Sequence, residues 1–465
     1  MANLSEKQRT LQDFAHEMKR DWDERARQNA KWFINTGKLQ QSDKEFDASG
    51  KVEVERLVLA DLPLLTHGRD PKSMQVLEIG CGLGRMTRYL AEVFGEVYAT
   101  DVSPEMIKQA AGRLPGLTNV RLCETDGVDF AALPSNHFDI VFSAYVFQHV
   151  PSAEVIRANL ADGYRVLKPG GVFRFQTSSI TTFDFEDVEK DTWVGATFPE
   201  TDIRRFAQEQ GAQLIGIFGA GTQYCWTTLR KRERVTGSAP QYAVTRPQIE
   251  FYGRSDNPEV KEVCTSGEHT YLALVVSGLV CEEVDANSLT VEIDGQEILP
   301  RYVGPVSRAY EPAMKAKFGE SLGHLTHVEV GVPIGEPSGQ VKVRVRLSTD
   351  EASGPVTVSL REPQPVIPQI GLVKNGSDLG TEVYARGARS SLRLYVEGLD
   401  EAADTGNVRV QVGKRIIKPS YVGFLPDDGV YRVDVQLPKD IAPGVTDLRL
   451  YFGNLESPSK QLHIK

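Results

Sequence analysis

Three glycines and two aspartates in the first half of the chain have residue types that suit the binding of a polar ligand. Gly80, Gly82 and Gly84 follow an apolar, strand-like run. Because glycine has no Cβ, the chain can turn sharply there and a ligand can approach the backbone. Asp101 and Asp126 end the next two strand-like runs, and a carboxylate only accepts hydrogen bonds. We therefore expect hydroxyl and amino groups of a ligand near these two side chains.

The position of this glycine turn narrows the chemistry of the ligand. A turn between a strand and a helix lies at the carboxyl edge of a parallel sheet, where open α/β sheets bind ligands, and free backbone N–H groups there favour a carboxylate or phosphate. Asp101 is placed to accept from both hydroxyls of a ribose, and Asp126 from an exocyclic amine. Together these groups predict contacts to an adenosine. The glycines alone are a weak signal, because tight strand-to-helix turns need glycine even without a ligand.

Alternating helices and strands must position these residues. From about residue 51 to residue 232 the chain alternates short apolar runs with helical ones, which predicts a doubly wound α/β fold with a parallel sheet covered on both faces. The first of these helices is expected over "VEVERLVLADLPLL". Two last strand-like runs, "AQLIGIFGAG" and "YCWTTLRKR", predict a closing hairpin with a glycine-rich turn. Residues 11 to 33 carry apolar side chains at helical spacing and predict an amphipathic helix that packs on this domain.

The second half of the chain has a different hydrophobic period and an internal repeat. After a linker over residues 236 to 246, apolar residues alternate with a period of two, as in half-buried antiparallel strands. "PQIEFYG" from 247 recurs as "PQIGLVK" from 368, "YLALVVSGL" from 271 as "LRLYVEGL" from 392, and "LPRYVGP" from 299 as "KPSYVGF" from 418. A repeat of about 120 residues with many short strands predicts two tandem β-sandwiches, over 247–365 and 366–465, rather than a solenoid. Both resemble bacterial immunoglobulin-like modules.

The glycine motif resembles the first motif of class I S-adenosylmethionine-dependent methyltransferases. Glu78 precedes a GxGxG pattern in "VLEIGCGLGRMT", whereas a dinucleotide fingerprint requires GxGxxG. "VYATDVSPEMIKQA", "CETDGVDF", "FDIVFSAYVFQHV" and "LKPGGVFRF" follow in that family's order, within about residues 51–232. The resemblance implies a Rossmann-like sheet with an antiparallel last strand in a domain over 1–235, S-adenosylmethionine as cofactor, and methyl transfer as the activity.

The same resemblance implies roles for individual residues. The methionine part of the cofactor would lie against Glu78, Gly80, Gly82, and Ser143 or Ala144. The ribose would bind Asp101, and the adenine would lie among Val102, Met106, Asp126 and Gly127. Arg85 has two interpretations, a partner of the methionine carboxylate or an ordinary arginine on a helix surface.

The acceptor side of the site is less defined. Alignment of the reacting atoms can supply about 7–11 kcal/mol in favourable cases, so a general base helps only a weakly acidic hydroxyl or a protonated amine. His149 is a candidate base because "FQHVP" begins the loop after the fourth strand, although it could instead pack or cap this loop, and Tyr145 is a second catalytic candidate. Residues 178 to 200 are too long for a plain connection, so they form either a lid and acceptor pocket or a cover for the sheet. The candidate acceptor contacts are Gln148, Phe183 and Trp193.

Composition and charge restrict the partners. A formal net charge of -10 gives no support for nucleic acid or an acidic membrane as a partner. The basic run at residues 230–232 is expected to be a solvated strand end. The chain lacks a run of eighteen apolar residues and a signal-peptide core, and its five cysteines form no CxxC pair, so we expect a cytoplasmic protein with reduced thiols. The sequence gives no support for a metal site, because acidic residues and histidines are not clustered along the chain.

The leading hypothesis is a methyltransferase with a small-molecule or glycan acceptor. In this hypothesis the immunoglobulin-like modules bind a protein or glycan, set the oligomeric state, or act as spacers. An inactive methyltransferase-fold scaffold that acts through these modules is the alternative, and the complete set of cofactor-site residues counts against it. A nicotinamide-dependent oxidoreductase comes third, because the last glycine of the dinucleotide fingerprint is missing and a closing hairpin is predicted. The acceptor, the methylated atom and the oligomeric state stay open.

Overall fold

The computed structural model divides the chain into two compact units. It describes residues 9–35, 40–179, 192–193, 195–233, 246–265, 270–279, 283–333, 337–347, 351–362, 367–377, 379–387, 390–399, 403, 405–425 and 430–465. The first unit comprises Met1–Ala212 and Gly219–Arg234, and the second comprises Gln213–Phe218 and Val235–Lys465. The predicted linker over 236–246 lies outside the described residues except for Arg246. The predicted domain bounds stay predictions.

The helices lie mainly in the first half of the chain. They are α1 (Leu11–Ile34), α2 (Asp43–Leu57), α3 (Leu62–Thr66), α4 (Thr87–Val93), α5 (Pro104–Arg113), α6 (Ala153–Val166), α7 (Glu200–Gln210) and α8 (Glu311–Phe318). Short 3-10 helices span Leu59–Asp61, Pro71–Ser73 and Phe147–His149.

The strands extend through both units. Up to residue 230 they are β1 (Gln75–Ile79), β2 (Glu96–Asp101), β3 (Val120–Glu124), β4 (Phe138–Ser143), β5 (Leu167–Thr177), β6 (Gln213–Phe218) and β7 (Cys225–Arg230). The next nine are β8 (Gln248–Arg254), β9 (Glu262–Cys264), β10 (Tyr271–Ser277), β11 (Leu289–Ile293), β12 (Gln296–Ile298), β13 (Tyr302–Gly304), β14 (Leu325–Gly331), β15 (Gly339–Leu347) and β16 (Val356–Arg361). The last nine are β17 (Gln369–Asn375), β18 (Ser391–Glu397), β19 (Val408–Val412), β20 (Arg415–Ile417), β21 (Tyr421–Leu425), β22 (Val430–Gln436), β23 (Gly444–Phe452), β24 (Leu455–Glu456) and β25 (Lys460–Ile464).

The sheet of the first unit has the order β3-β2-β1-β4-β5-β7. All neighbours from β3 to β5 are parallel, and β7 runs antiparallel to β5. The carboxyl ends of β1, β2, β3 and β4 therefore meet at one edge, and the order reverses between β1 and β4, where such sheets bind ligands. This topology confirms the predicted doubly wound, Rossmann-like fold with an antiparallel last strand.

Side-chain caps explain where several helices of this unit begin. The Ser103 hydroxyl accepts from the N–H of Met106 at the start of α5, and Ser42 and Glu45 form a capping box at the start of α2. The helix predicted over "VEVERLVLADLPLL" is wrong in its extent, because α2 begins earlier and ends at Leu57, and a separate helix α3 follows. Pro63 lies in the first turn of α3, and proline is tolerated there but not in a helix interior.

The basic run at residues 230–232 is not simply solvated. The Lys231 ammonium donates to the backbone oxygens of Tyr164 (2.9 Å), Arg165 (3.1 Å) and Leu167 (2.8 Å), at the end of α6. It also donates to the side-chain oxygen of Asn136, at 2.9 Å. A cation at a helix C-terminus satisfies carbonyls that have no partner within the helix. Lys231 therefore caps α6.

The second unit consists of two similar β-modules and contains β6. In the first module the sheet order is β6-β13-β14-β10-β8 opposite β12-β11-β15-β16-β9, and in the second it is β17-β18-β22-β21 opposite a sheet in which β19, β24 and β25 pair with β23. The strands β8, β10, β13 and β14 thus have the same order as β17, β18, β21 and β22. This all-β region agrees with the prediction of two immunoglobulin-like sandwiches.

Candidate active site

The glycine turn follows β1 and is closely packed. Gly80, Gly82 and Gly84 have φ values of 73°, 54° and 74°, a region that favours glycine. A Cβ at Gly80 would lie 2.3 Å from a methyl of Val146, and one at Gly82 would lie 2.7 Å from Cδ1 of Ile34. Glycine is therefore required here both for backbone conformation and for close approach of two other segments.

The backbone N–H groups at the beginning of this turn already have partners. Gly80 and Cys81 donate to the carbonyl of Thr100, at 2.8 and 2.9 Å, and Gly82 donates to Oδ2 of Asp101 at 2.9 Å. The expectation of free N–H groups for a carboxylate is therefore wrong for these three residues. They attach the turn to the end of β2 instead.

Glu78, on β1, is a buried acid. Its side chain is 5% exposed, and Oε2 accepts from the Thr87 hydroxyl at 2.6 Å. Burial raises the pKa of Glu78 to about 7, because an ionised carboxylate is poorly solvated there, and the Thr87 hydrogen bond and the Arg85 charge oppose this only in part. Glu78 therefore exchanges a proton near neutral pH.

Asp101 lies at the end of β2, where the sequence predicted the ribose contact. Oδ2 accepts from Gly82 N–H and Oδ1 from Ser103 N–H, each at 2.9 Å. Burial raises the pKa of Asp101 to about 6 despite these bonds. At neutral pH the carboxylate is ionised, and each oxygen has a second lone pair for a hydroxyl.

Asp126 and Gly127 follow β3 in a tight turn. Oδ1 of Asp126 accepts from the N–H groups of Val128 (2.8 Å) and Asp129 (3.0 Å), while Oδ2 accepts from the Gln12 amide at 3.4 Å. Burial favours a higher pKa for Asp126, but the backbone N–H groups outweigh it and lower the pKa below its usual value. Gly127 has a φ of 85°, and a Cβ there would lie 2.9 Å from the Val102 side chain.

Arg85 and Ser143 both lie beneath the surface of the site. Arg85 is 7% exposed, its Nη1 donates to the Ser49 hydroxyl at 3.2 Å, and its Nε has no hydrogen-bond partner among the described residues. A buried N–H without a partner is costly, so this guanidinium suits an anionic ligand group. Ser143 is fully buried at the end of β4 and donates to the carbonyl of Ile79 at 3.4 Å. Arg85 is therefore not an ordinary surface arginine.

Helix α1 covers this edge of the sheet. Gln12 contacts Asp126, Lys19 pairs with Glu124 at the end of β3, and one oxygen of Asp23 accepts from the Ser103 hydroxyl (2.5 Å) and Glu105 N–H (3.1 Å). At its far end Ile34 lies on Gly82. Met106, which is expected to flank the adenine, is 1% exposed and packs with α1 residues Ala26 and Ala30. The sequence predicted the packing of α1 but not the role of Asp23, because a carboxylate on a helix looks the same when it is solvated.

Helix α1 is not continuous. Asn29 has non-helical dihedral angles, with φ at -167° and ψ at 75°, and its side-chain oxygen accepts from Trp32 N–H at 3.3 Å. Asn29 thus begins a short second segment that carries Trp32, Phe33 and Ile34.

Tyr145 lies two residues after the end of β4 in a left-handed conformation, with a φ of 61°. Its hydroxyl donates to Glu53 at 3.0 Å and accepts from Arg56 at 2.5 Å, both on α2. Burial raises the pKa of Tyr145 well above its usual value, so the phenol keeps its proton. The geometry therefore supports Tyr145 as a hydrogen-bond donor that joins α2 to the loop, rather than as a base.

His149, Gln148 and Trp193 lie together, as candidate acceptor residues should. His149 Nδ1 is 2.7 Å from the Trp193 carbonyl, and its Nε2 is 3.1 Å from Nε2 of Gln148. The rings of His149 and Trp193 have centroids 5.1 Å apart. Phe183, the other candidate acceptor contact, lies outside the described residues.

An arginine in an aromatic cluster lies beside this group. The Arg25 guanidinium is 4.9 Å from the ring centroid of Trp22, 5.8 Å from that of Phe33 and 5.5 Å from that of Trp193. Its Nη1 donates to the carbonyl of Thr192 at 3.1 Å. Aromatic faces attract cations, so this cluster fixes α1 to the segment around Trp193. Sequence reasoning missed it because the residues are far apart along the chain.

The described ranges contain neither a metal-binding cluster nor a membrane-spanning helix. Within them, no three His, Cys, Asp or Glu side chains are grouped in a way that would hold a metal ion. In the same ranges, no helix has the length and apolar character needed to cross a membrane.

Residues 77–175 match a family model described as a methyltransferase domain. This stretch extends from β1 to β5 and contains the glycine turn, Asp101 and Asp126. Together with the sheet order, the match confirms the predicted class: this part of the chain is a class I S-adenosylmethionine-dependent methyltransferase domain.

The relatives named here each match part of the chain. A chondramide synthase from Chondromyces crocatus is 36% identical over 152 residues, which are 32% of this chain and 4% of the synthase. A malonyl-[acyl-carrier protein] O-methyltransferase from Serratia marcescens is 31% identical over 146 residues, 30% of this chain and 54% of that enzyme. Among solved structures, a magnesium protoporphyrin IX methyltransferase from Synechocystis is 17% identical with a TM-score of 0.37 and covers 47% of this chain and 100% of that one. The match thus covers at most about half of the length of these curated relatives.

Proposed function

We propose that this protein transfers the methyl group of S-adenosylmethionine to a small-molecule or glycan acceptor. The observation that carries the proposal is the carboxylate of Asp101, which is bonded to the glycine turn through Gly82 N–H at the edge where β1 and β4 separate. The ionised Asp101 carboxylate thus contacts the glycine turn and can also accept hydrogen bonds from the ribose hydroxyls. A dinucleotide fingerprint GxGxxG that starts at Gly80 would need its last glycine at position 85, and Arg85 occupies that position.

The residues around Asp101 fit the cofactor. The buried Nε of Arg85, which has no partner in the described part of the chain, suits the methionine carboxylate, with Glu78 and Ser143 nearby for the amino group. Asp126 and Gly127 would meet the adenine amine, and Val102 would lie against the ring. When bound, S-adenosylmethionine supplies an activated methyl group, so the protein mainly has to align the acceptor and exclude water. Ile34 lies on Gly82, and we infer that the end of α1 moves when the cofactor enters.

His149 is the proposed general base, and Gln148 and Trp193 are the proposed acceptor contacts. Gln148 and Trp193 both lie beside His149, and the Arg25 cluster on α1 covers the region around Trp193. A neutral imidazole accepts a proton from a hydroxyl or an ammonium. We propose that the β-modules bind a protein or glycan, and that the protein is cytoplasmic.

Calorimetry with S-adenosylhomocysteine tests the cofactor assignment. We expect saturable binding by the intact protein, and at least about tenfold weaker binding by Asp101→Ala, because a loss of about 1.4 kcal/mol or more follows when an ionised hydrogen-bond acceptor is removed. Asp129→Ala is the matched control, since Asp129 accepts from Ala131 N–H in the same region and has no proposed cofactor contact. Absence of binding by the intact protein, or equal binding by Asp101→Ala, would contradict the proposal.

A turnover assay tests the rest. In a cell extract that contains candidate acceptors, S-adenosylhomocysteine should accumulate only when both acceptor and protein are present. Binding of the cofactor product without any turnover would favour the inactive scaffold instead.

A further inference from the structure

A chain of four hydrogen bonds connects the backbone N–H of Tyr145 to the backbone carbonyl of Trp193 through the ring of His149. Oε1 of Gln176 accepts from Tyr145 N–H at 3.1 Å, and Nε2 of Gln176 donates to Oε1 of Gln148 at 3.2 Å. Nε2 of Gln148 then lies 3.1 Å from Nε2 of His149, and Nδ1 of His149 lies 2.7 Å from the carbonyl of Trp193. Both ends of the chain are backbone groups, of which one only donates and the other only accepts.

These ends fix the direction of every bond between them. Tyr145 N–H requires an oxygen from Gln176. The two hydrogens of the Gln176 amide nitrogen are shared among three oxygens, those of Gln223 (2.6 Å), Thr177 (3.0 Å) and Gln148 (3.2 Å), so this amide cannot be reversed. The oxygen of Gln148 must therefore face Gln176, and its NH2 group must face His149. From the other end, the Trp193 carbonyl requires a proton on Nδ1 of His149. The Tyr145 N–H and the Trp193 carbonyl therefore both require that Nε2 of His149 is unprotonated and has a free lone pair towards Gln148.

We propose that Gln176, acting through Gln148, holds His149 in the neutral form with its proton on Nδ1, and that Gln176 is a positioning residue of the base. The inference rests on the proposed function for the role of His149 in methyl transfer. Gln176 is fully buried and does not contact the ring, and Gln148 is 9% exposed, so water has little access to replace either amide. Free neutral histidine in water prefers the proton on Nε2, so the tautomer at this site is a specific consequence of the chain of amides.

The same arrangement disfavours the charged ring. A protonated His149 would direct its Nε2–H at the NH2 group of Gln148, and two donors cannot satisfy each other. Rotation of the Gln148 amide would relieve this conflict only by turning its NH2 group towards the NH2 group of Gln176. His149 therefore stays a base to a lower pH than an imidazole in water. An acceptor hydroxyl or amine takes the place of the Gln148 N–H at the same lone pair.

Nuclear magnetic resonance of the full-length protein labelled with [15N]histidine tests this directly. His149→Gln identifies the signals of His149. The expected spectrum has the shifts of an unprotonated Nε2 and a protonated Nδ1 at pH 7. A protonated Nε2 at that pH would overturn the inference.

Two substitutions and a control test the role of the amides. Gln148→Glu presents a carboxylate to Nε2 and should raise the pKa of His149 by about one to three units, because an opposite charge at this distance stabilises the imidazolium. Gln176→Met removes the anchor and frees Gln148 to rotate, so it should raise the pKa of His149 less. Gln223→Met removes an amide that lies 3.5 Å from the same Gln148 oxygen but leaves the backbone carbonyl that Gln176 uses, and it should leave the titration unchanged.

Each result has a separate meaning. An unchanged His149 titration in folded Gln148→Glu would refute the inference, even if Gln176→Met does not fold. S-adenosylhomocysteine calorimetry on the same samples reports on the cofactor site alone. Failure of that binding would reject the methyl-transfer proposal, while the tautomer measurement would still decide whether the amides control His149.

Discussion

At the scale of single residues, the acids of the site differ in their environments. Glu78 is buried with one hydroxyl donor, Asp101 has two backbone donors, and Asp126 has two backbone donors and a side-chain donor. Burial raises the pKa of Glu78 to about 7 and that of Asp101 to about 6, whereas the pKa of Asp126 is lowered. Burial therefore dominates at Glu78 and Asp101, whereas Asp126 is exposed and its hydrogen-bond donors keep it an anion.

The raised pKa of Glu78 predicts a pH-dependent stability of the first unit. The folded protein binds this proton more tightly than the unfolded chain, in which the pKa has its ordinary value of 4.5. Between about pH 4.5 and pH 7 this group therefore lowers the free energy of unfolding as pH rises, by on the order of 1–3 kcal/mol in total. Glu78→Gln cannot ionise, so its stability should depend less on pH in this window.

Scanning calorimetry from pH 5 to pH 8 measures this effect. Glu92→Gln is the control, because Glu92 is exposed and its side chain has no ionic role in the site. Parallel curves for wild-type protein and Glu78→Gln would contradict the prediction.

At the scale of elements, α1 and the glycine turn work as a pair. The Gly80, Cys81 and Gly82 N–H groups attach the turn to the end of β2, so the turn is held in a fixed position. Helix α1 is held mainly by side chains, among them Asp23 at the start of α5, and has a kink at Asn29. Since side-chain contacts break more easily than a backbone ladder, we expect α1 to be the element that opens for the cofactor.

Asp23→Ala should loosen this helix. The substitution removes acceptors for Ser103 Oγ–H and Glu105 N–H, a loss of about 1–2 kcal/mol that corresponds to roughly 5–30-fold more frequent opening. Amide hydrogen exchange over residues 11–28 should accelerate accordingly, and S-adenosylhomocysteine should dissociate faster. Glu24→Ala is the matched control on the same helix, because the Glu24 carboxylate accepts from the Gln28 amide of α1 itself, at 2.9 Å. Equal exchange in both variants would show that α1 is held elsewhere.

At the scale of the whole molecule, hydrophobic pattern and turn motifs predicted most elements but not their partners. The alternation in "QLIGIF" indicates a buried strand, yet the same pattern suits any neighbour, and β6 belongs to the second unit. Asp101 and Asp126 were predictable because a strand end fixes their location. Gln148 and Gln176 are 28 residues apart, and nothing in the local sequence distinguishes their amides from solvated ones. Contacts between polar side chains depend on tertiary structure, which periodicity does not encode.

The assignment of β6 to the second unit predicts how truncation will act. Leu214, Ile215 and Ile217 of this strand are at most 1% exposed, and each apolar side chain that stays buried contributes roughly 1.5–3 kcal/mol. Backbone bonds from Ile217 N–H to the Arg301 carbonyl (2.7 Å) and from Ala286 N–H to the Leu214 carbonyl (2.9 Å) hold β6 within the second unit.

A chain that ends at residue 234 lacks these partners, whereas one that ends at residue 365 keeps them. We expect the shorter chain to have a lower melting temperature and to bind a hydrophobic dye, because β6 would lose its hydrogen bonds to Ala286 and Arg301 and part of its apolar contacts. The longer chain should melt close to the full-length protein in its first transition and bind S-adenosylhomocysteine equally well. Thermal melts and dye fluorescence of the two truncated chains decide the matter. If the chain ending at residue 234 were as stable as the longer one, β6 would not depend on the β-module, and the first β-module would be dispensable for the methyltransferase domain.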